Sequence, residues 1–365
     1  MEKPRFLGIQ EYPLANQQDT ERSRPLRGWL GGFNNPWDTW QTPNGLLVLR
    51  WKRKYPKSKL EIPDEKTLEK LLPVSKPAFP PSNSEKVSMT WLGHASCLFQ
   101  LDGVSILADP VFEPECSTFQ SLSFSGKPAT TPRFRPSPCQ VEDLPQNLKF
   151  ILISHNHFDH MDLPTCLKLH QRFGDQLVWC VPLGNEATMR QALGTEAKVI
   201  ELNWWQCAAF KVGQSKLFEI VATPCQHWCM RKLMIDKMMS LWCSFSVIGP
   251  SGRRVFFAGD TGYCKAFKEI GRDLGPFDIA AIPIGAYDPH EFLAAQHVDP
   301  NDAVQLHKDI GSRKSVGVHW GTFPFADDSL MGPKEDLEKA VKDHKLKTGE
   351  FIAVQHGETV TIDDE

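Results

Sequence analysis

Between residues 155 and 160 the chain reads His155-Asn156-His157-Phe158-Asp159-His160, directly after the run Phe150-Ile151-Leu152-Ile153-Ser154. In an extended backbone, residues two apart project to the same side, so His155 and His157 can face one ion. A turn into a helix capped by Asp162 then aims Asp159 and His160 differently, toward a second ion. Two ions need further ligands, and equivalent positions supply them. His227 follows Leu217–Ala222, Asp260 follows Val255–Ala258 and His319 follows Ser315–Val318, each beyond an apolar run that reads as a strand. Such positions converge where the loops of an open sheet meet along one edge. Imidazole and carboxylate without thiolate suit Zn²⁺, with Mn²⁺ or Fe as substitutes, and a carboxylate such as Asp260 can bridge. Two such ions, ~3.5–4 Å apart, bridge a water, lower its pKa and hold the oxygens of a carbonyl or phosphoryl group under attack. The chemistry expected is hydrolysis. No G-x-S-x-G, P-loop or H-E-x-x-H motif offers another nucleophile system, and no H-x-K offers a two-histidine covalent phosphodiesterase mechanism.

The elements that must hold these residues alternate apolar runs with helical stretches from Val87 onward. Candidate strands are Val87–Trp91, Ser96–Leu101, Ser105–Ala108, Phe150–Ile153, Leu177–Cys180, Val199–Leu202, Leu217–Ala222, Trp242–Ile248, Val255–Ala258, Ile279–Ile282, Ser315–Val318 and Phe351–Val354. Interspersed helices make this a mixed α/β sandwich. Helix starts are read at Asp64, at Asp162 with Pro164 just inside, at Asp299-Pro300 and at Pro333. Between Phe112 and Asn147 no element is convincing, and a loop that long in a compact domain is read as a lid or binding loop. Residues 1–30 are polar and expected to be disordered. Residues 31–84, with the aromatic patch Phe33–Trp40 and a proline-rich close, form an N-terminal extension, and residues 85–365 form the catalytic domain.

Net charge −3, from 41 Lys+Arg against 44 Asp+Glu, excludes a bulk-electrostatic nucleic-acid binder. The ten cysteines are scattered without a C-x-x-C pair and read as reduced thiols of an intracellular protein. Neither a signal peptide nor an apolar run long enough to span a membrane is seen, so any membrane attachment is expected to be peripheral, on a cytosolic face. Met230, Met234 and Met238 would form one stripe on a helix, either as core or as an apolar lip that admits acyl chains. Lys52, Arg53, Lys54, Lys57 and Lys59, with Arg133 and Arg135 in the long loop, are candidate contacts for anionic headgroups.

The His155–His160 motif with His227, Asp260 and His319 resembles the metallo-β-lactamase superfamily. More narrowly, Asn35-Pro36-Trp37, Thr90–Ala95, Gln226–Cys229, Phe256–Cys264, Ile282–Tyr287, Gln296–Pro300 and His319–Phe323 are similar to the N-acylphosphatidylethanolamine-hydrolysing phospholipase D family. The resemblance covers about Phe33 to Gly357. It implies a four-layer αββα sandwich and a dizinc phosphodiesterase acting at a membrane, in which hydroxide held between the metals attacks phosphorus. Its products would be N-acylethanolamine and phosphatidic acid. Residue by residue, it implies that His155, His157 and His227 hold one zinc, that Asp159, His160 and His319 hold the other, and that Asp260 bridges. Asp159 and His297 are then the catalytic residues, and Phe158, Gln296 and His297 the substrate contacts. Phe158 stands where the family carries Tyr, so a hydroxyl contact is missing there. The partners implied are a membrane phospholipid, the membrane surface and a second copy in a homodimer, with no nucleic acid. The alternatives are another hydrolase of the same fold, nuclease-like or lactonase, and a non-catalytic lipid- or metabolite-binding protein that kept the fold.

Overall fold

The computed structural model describes residues 2–15, 22–28, 31–41, 60–81, 84, 86–122, 128–213, 216–232 and 235–362. The basic cluster Lys52–Lys59, and Met234 of the methionine stripe, lie outside the described residues.

In chain order, β1 (Arg5–Glu11) is followed by a short hairpin, β2 (Leu26–Arg27) and β3 (Phe33–Asn34), and by helix α1 (Glu65–Leu71). Then come β4 (Ser88–Trp91), β5 (Cys97–Leu101), β6 (Val104–Ala108), the hairpin β7 (Glu115–Leu122) and β8 (Pro128–Pro132), and β9 (Leu148–Leu152). Helix α2 (Leu163–Phe173), β10 (Val178–Pro182), α3 (Glu186–Leu193) and β11 (Lys198–Leu202) complete the first half. The second half runs β12 (Gln206–Val212), β13 (Lys216–Thr223), β14 (Ser244–Ile248), β15 (Arg254–Phe257), α4 (Ala266–Leu274) and β16 (Phe277–Pro283). It ends with α5 (His290–Leu293), α6 (Pro300–Asp309), β17 (Ser312–Val318), α7 (Gly332–Asp343), β18 (Phe351–Ala353) and β19 (Thr359–Thr361).

Two sheets stack face to face, one ordered β11-β10-β9-β6-β5-β4-β19 and the other β1-β12-β13-β14-β15-β16-β17-β18. Alternate side chains explain the layering. On β9, Phe150 and Leu152 meet Phe210, Phe218 and Ile220 of the second sheet, whereas Ile151 points outward to Cys166 and Leu169 of α2 and Met189 of α3. On the far side, α4, α6 and α7 cover the second sheet with Phe267, Ile270, Val304, Leu306 and Leu337. The result is an αββα sandwich. Strands β6, β9, β10 and β11 pair in parallel, as do β15 to β18, and the central ones, β6, β9, β10 and β16, read as largely apolar runs because both faces are buried.

Two expectations are corrected. Residues 5–11, read as disordered, form β1, which pairs antiparallel with β12 from Arg5↔Lys211 to Glu11↔Gln206. Main-chain bonds to a strand some two hundred residues away order a segment whose composition is polar; Trp205 reinforces it by accepting from Tyr12 N (2.8 Å). The stretch after Phe112 carries the β7–β8 hairpin, which Ser/Thr/Pro composition concealed because pairing there depends on the partner strand more than on apolar alternation.

Candidate metal centre

Every candidate ligand sits on a loop leaving the C-terminal end of a strand. After β9, Ser154 N donates to Asp109 Oδ1 (2.7 Å) and Ser154 O accepts from Cys243 N (2.9 Å), which pins the start of the motif between the sheets. The backbone then folds into one tight turn, with His160 N and Met161 N both donating to His157 O. Opposite it, Gly259 has φ +62, and a Cβ there would lie 2.7 Å from Ser154 Cβ. Only glycine lets the loop bearing Asp260 approach so closely.

Two groups of side chains result. His155 Nε2 lies 2.8 Å from His157 Nδ1, which lies 3.3 Å from His227 Nε2. Asp159, His160 and His319 gather beside them together with His94. Asp260 stands between the groups, with Oδ2 3.9 Å from His155 Nε2, 3.8 Å from His227 Nε2 and 3.0 Å from His160 Nε2, and with Oδ1 3.0 Å from His319 Nε2. His297 approaches the same carboxylate, its Nδ1 3.9 Å from Oδ2. All seven residues expected to hold metal are therefore brought together, and His297 with them.

The remaining ring nitrogens are fixed from behind. His227 Nδ1 donates to Gln296 O (3.0 Å), and His160 Nδ1 donates to Asp109 Oδ2 (2.6 Å). Ser154 Oγ donates to Asp109 Oδ2 (2.5 Å) and accepts from His155 Nδ1 (2.9 Å). Each of these imidazoles then presents a bare lone pair at Nε2 to its neighbours. His160 Nε2, His319 Nε2 and Asp260 Oδ1 are buried without a hydrogen-bond partner. Lone pairs facing each other out of water repel unless a cation lies between them. A tetrahedral ion with bonds of ~2.0–2.1 Å holds its donors about 3.3 Å apart, close to the spacings seen. The donor set fits divalent metal.

The electrostatics agree. Burial pushes His155 and His227 well below the usual imidazole range and His157 to about 4. Burial also pushes His297 to about 4. Burial favours the neutral form of Asp260, but the imidazoles of His160, His319 and His297 outweigh it and hold the carboxyl well below the usual range. At His160 burial is outweighed by the carboxylates of Asp260 and Asp159 and the hydrogen bond to Asp109, so its pKa is raised. Surroundings that favour a proton on His160 also favour a metal cation in its place.

The centre floors a cavity of about 300 Å³, with His157, Asp159, His227, Asp260, His297 and His319 below and Trp228, Met230, Leu293 and Phe325 on the walls. Phe158 and Gln296, the expected substrate contacts, also line it. Phe158 lies under the Arg231 guanidinium (4.2 Å to the ring centroid). Arg231 in turn donates to Asn156 O (3.1 Å) and Met161 O (2.9 Å), tying the ligand turn to the segment after His227.

Two residues that hold the centre's side chains in place escaped the sequence reading. Asp109 follows β6 just as Asp260 follows β15, and the same strand-end reasoning would have found it. His94 donates from Nε2 to Asp159 Oδ2 (2.9 Å), and its backbone O accepts from His319 N (2.9 Å). It lies inside the family-like stretch Thr90–Ala95, directly after a glycine that follows an apolar run, and those were the signals that could have marked it.

Residues 105–320, more than half of the chain, match the Beta-lactamase superfamily domain. The chain is 38% identical, over 95% of its length and 96% of the relative's, to N-acyl-phosphatidylethanolamine-hydrolyzing phospholipase D 1 of Caenorhabditis elegans. The chain belongs to the N-acyl-phosphatidylethanolamine-hydrolyzing phospholipase D family. A second member, the mitochondrial one of Saccharomyces cerevisiae, is 31% identical over 85% of this chain and 71% of its own. Among solved structures, Igni18, a metallo hydrolase of Ignicoccus hospitalis, shares the fold with a TM-score of 0.51 and 22% identity, covering 77% of this chain and 100% of its own. The protein is an enzyme, a metal-dependent phospholipase D-type hydrolase with the metallo-β-lactamase fold.

Proposed function

We propose that the enzyme binds two Zn²⁺ and hydrolyses N-acylphosphatidylethanolamine to N-acylethanolamine and phosphatidic acid at a membrane surface. One observation carries this reading: a paired set of metal donors at the floor of a cavity whose walls are apolar. The activity for which the two relatives are named supports it. In this reading His155, His157 and His227 hold one ion, Asp159, His160 and His319 hold the other, and Asp260 lies between. When bound, the ions supply Lewis acidity toward the phosphodiester and an acidified water. The chain's own residues do the rest. His297, kept neutral by burial, offers one ring N–H to a phosphoryl oxygen. Trp228, Met230, Leu293 and Phe325 desolvate the acyl end, while Phe158 supplies a ring face and no hydroxyl. No Lys or Arg lines the cavity among the described residues, so charge matching a phosphate has to come from the bound cations, with neutral His297 adding only a hydrogen bond.

The test compares purified enzyme on N-acylphosphatidylethanolamine, phosphatidylcholine and a soluble bis-aryl phosphate, with metal content measured in parallel. Turnover of the N-acylated lipid well above phosphatidylcholine, at about two zinc per chain, is expected. Hydrolysis of the soluble ester alone would defeat the lipid assignment. Asp159→Asn should lose at least about a hundredfold in turnover while the protein stays folded, because one carboxylate of the second site becomes an amide; retained turnover would remove Asp159 from the centre.

A further inference from the structure

Two loops that leave neighbouring strands are joined at one carboxylate. Asp328, on the loop after β17, accepts from three successive amides of the loop after β16: Ala286 N (2.5 Å), Tyr287 N (3.1 Å) and Asp288 N (2.6 Å). Beside it, Asp327 N donates to Asp288 O (3.0 Å). Ala286 has φ +64, a left-handed conformation that costs a residue with a Cβ and persists only where its surroundings enforce it. Both loops reach the cavity wall, through Ala286 on one side and Phe325 and Ala326 on the other. Phe325 stacks on Phe323 (5.1 Å between centroids), and both rings stand edge-on to His94.

We propose that Asp328 is a positioning residue that clasps these two loops into one rigid wall of the substrate cavity, and that this wall makes the enzyme prefer phosphodiesters carrying a long apolar chain. The assignment rests on the phosphodiesterase reading above. Asp328 touches neither metal donors nor reacting atoms. Its ionised carboxylate is acceptor-only, with Tyr287 N and Asp288 N on Oδ1 and Ala286 N on Oδ2; an asparagine oxygen could keep the first two, but its NH₂ would then oppose Ala286 N, the residue held at positive φ. Without the clasp, Ala286 relaxes from φ +64, Phe325 loses its backing, and the apolar wall opens while the metal donors on the loops after β9, β13 and β15 stay in place, as does His319, which directly follows β17 and is held by its N–H to His94 O (2.9 Å).

The experiment uses a matched pair of substrates, the methyl and decyl diesters of 4-nitrophenyl phosphate, with the zinc-loaded full chain. The reacting bond is the same in both, so the ratio of their kcat/KM values reads the wall alone. Wild type should favour the decyl ester, and Asp328→Asn should reduce that ratio about tenfold. The loss should fall mainly on KM for the decyl ester, with metal content and the methyl-ester rate kept. A ratio unchanged by Asp328→Asn, parallel loss on both esters, or a wild type without chain preference overturns the proposal. A wild type that prefers the decyl ester yet leaves N-acylphosphatidylethanolamine intact defeats the lipid reading and not the clasp. Should Asp328→Asn fail to fold, hydrogen exchange in wild type decides: amides 286–288 are expected to be protected, and exchange at free-loop rates overturns the clasp.

Discussion

Asp109 shows how one buried residue can govern a centre it does not enter. Its carboxylate receives Ser154 N, Ser154 Oγ and His160 Nδ1, and Ser154 Oγ in turn orients His155. One acidic side chain therefore sets the tautomer of a ring in each half of the donor set. Partners of this kind, behind metal-ligating histidines, typically account for 10–100-fold in metal affinity. Asp109→Asn should thus weaken zinc binding by about 10–100-fold, read by competition with a chromophoric chelator. Unchanged affinity would show that the backbone alone orients His155 and His160. His94 stands in the same relation to Asp159, which it holds through Nε2. Both residues were hard to see in the sequence for one reason. The His155–His160 motif announces itself because its members are neighbours in the chain, whereas Asp109 and His94 are 51 and 65 positions from the residues they orient. Like Asp260, His227 and His319 they follow apolar runs, but the ligand set for two ions was already filled without them.

At the level of elements, legibility followed burial. Strands such as β9, β10 and β16 are buried on both faces and read as continuous apolar runs. Strand β12 alternates with intermediate positions and β1 is largely exposed, so neither stands out. The aromatic patch at Phe33–Trp40, without period, proves to brace the centre. Asn35 Nδ2 donates to His227 O (2.8 Å), Thr39 Oγ1 donates to Gln226 Oε1 (2.5 Å), and Trp37 stacks on Trp204. Away from the centre, α6 is held to β17 by His307, whose Nδ1 lies 2.8 Å from Ser315 Oγ and whose ring stacks on Phe351. Burial pushes His307 down to about 4, against a smaller opposing pull from Glu350. A folded pKa below the unfolded one means that the unfolded chain binds the proton first. Stability from His307 is therefore complete above about pH 6.5 and is lost as pH falls toward 4. His307→Gln should flatten that limb of the denaturant-midpoint profile by roughly 3 kcal/mol at most. A variant that parallels wild type from pH 6.5 to 4 would remove His307 as a source of acid sensitivity.

For the whole molecule the question is how an enzyme of net charge −3 would stay on a bilayer. No described helix is long and apolar enough to cross one, and under the proposed function local patches would supply the hold. Of the two readings of the methionine stripe, core and apolar lip, Met230 and Met238 fit the first, and the described residues after His227 form turns and not a helix. Met230 is buried in the cavity wall, and Met238, at φ +63, packs against the core. The apolar groups that do face outward there are Ile235, 84% exposed, and Met239, 45% exposed, and Lys237 lies nearby over the Trp228 ring at the cavity wall. An isoleucine moved from water into acyl chains gains roughly 1.5–3 kcal/mol, about tenfold or more in partitioning. Lysines beside it add up to about 1 kcal/mol each on an anionic surface, a contribution that salt screens. Ile235→Asp combined with Met239→Asp should therefore lower binding to phosphatidic-acid-containing vesicles at least about tenfold, measured by co-sedimentation. Zinc content and hydrolysis of a soluble diester should be unchanged, since neither side chain touches the donor set. Binding lost in high salt but kept in the double variant would move the hold from this apolar tip to basic residues elsewhere on the surface.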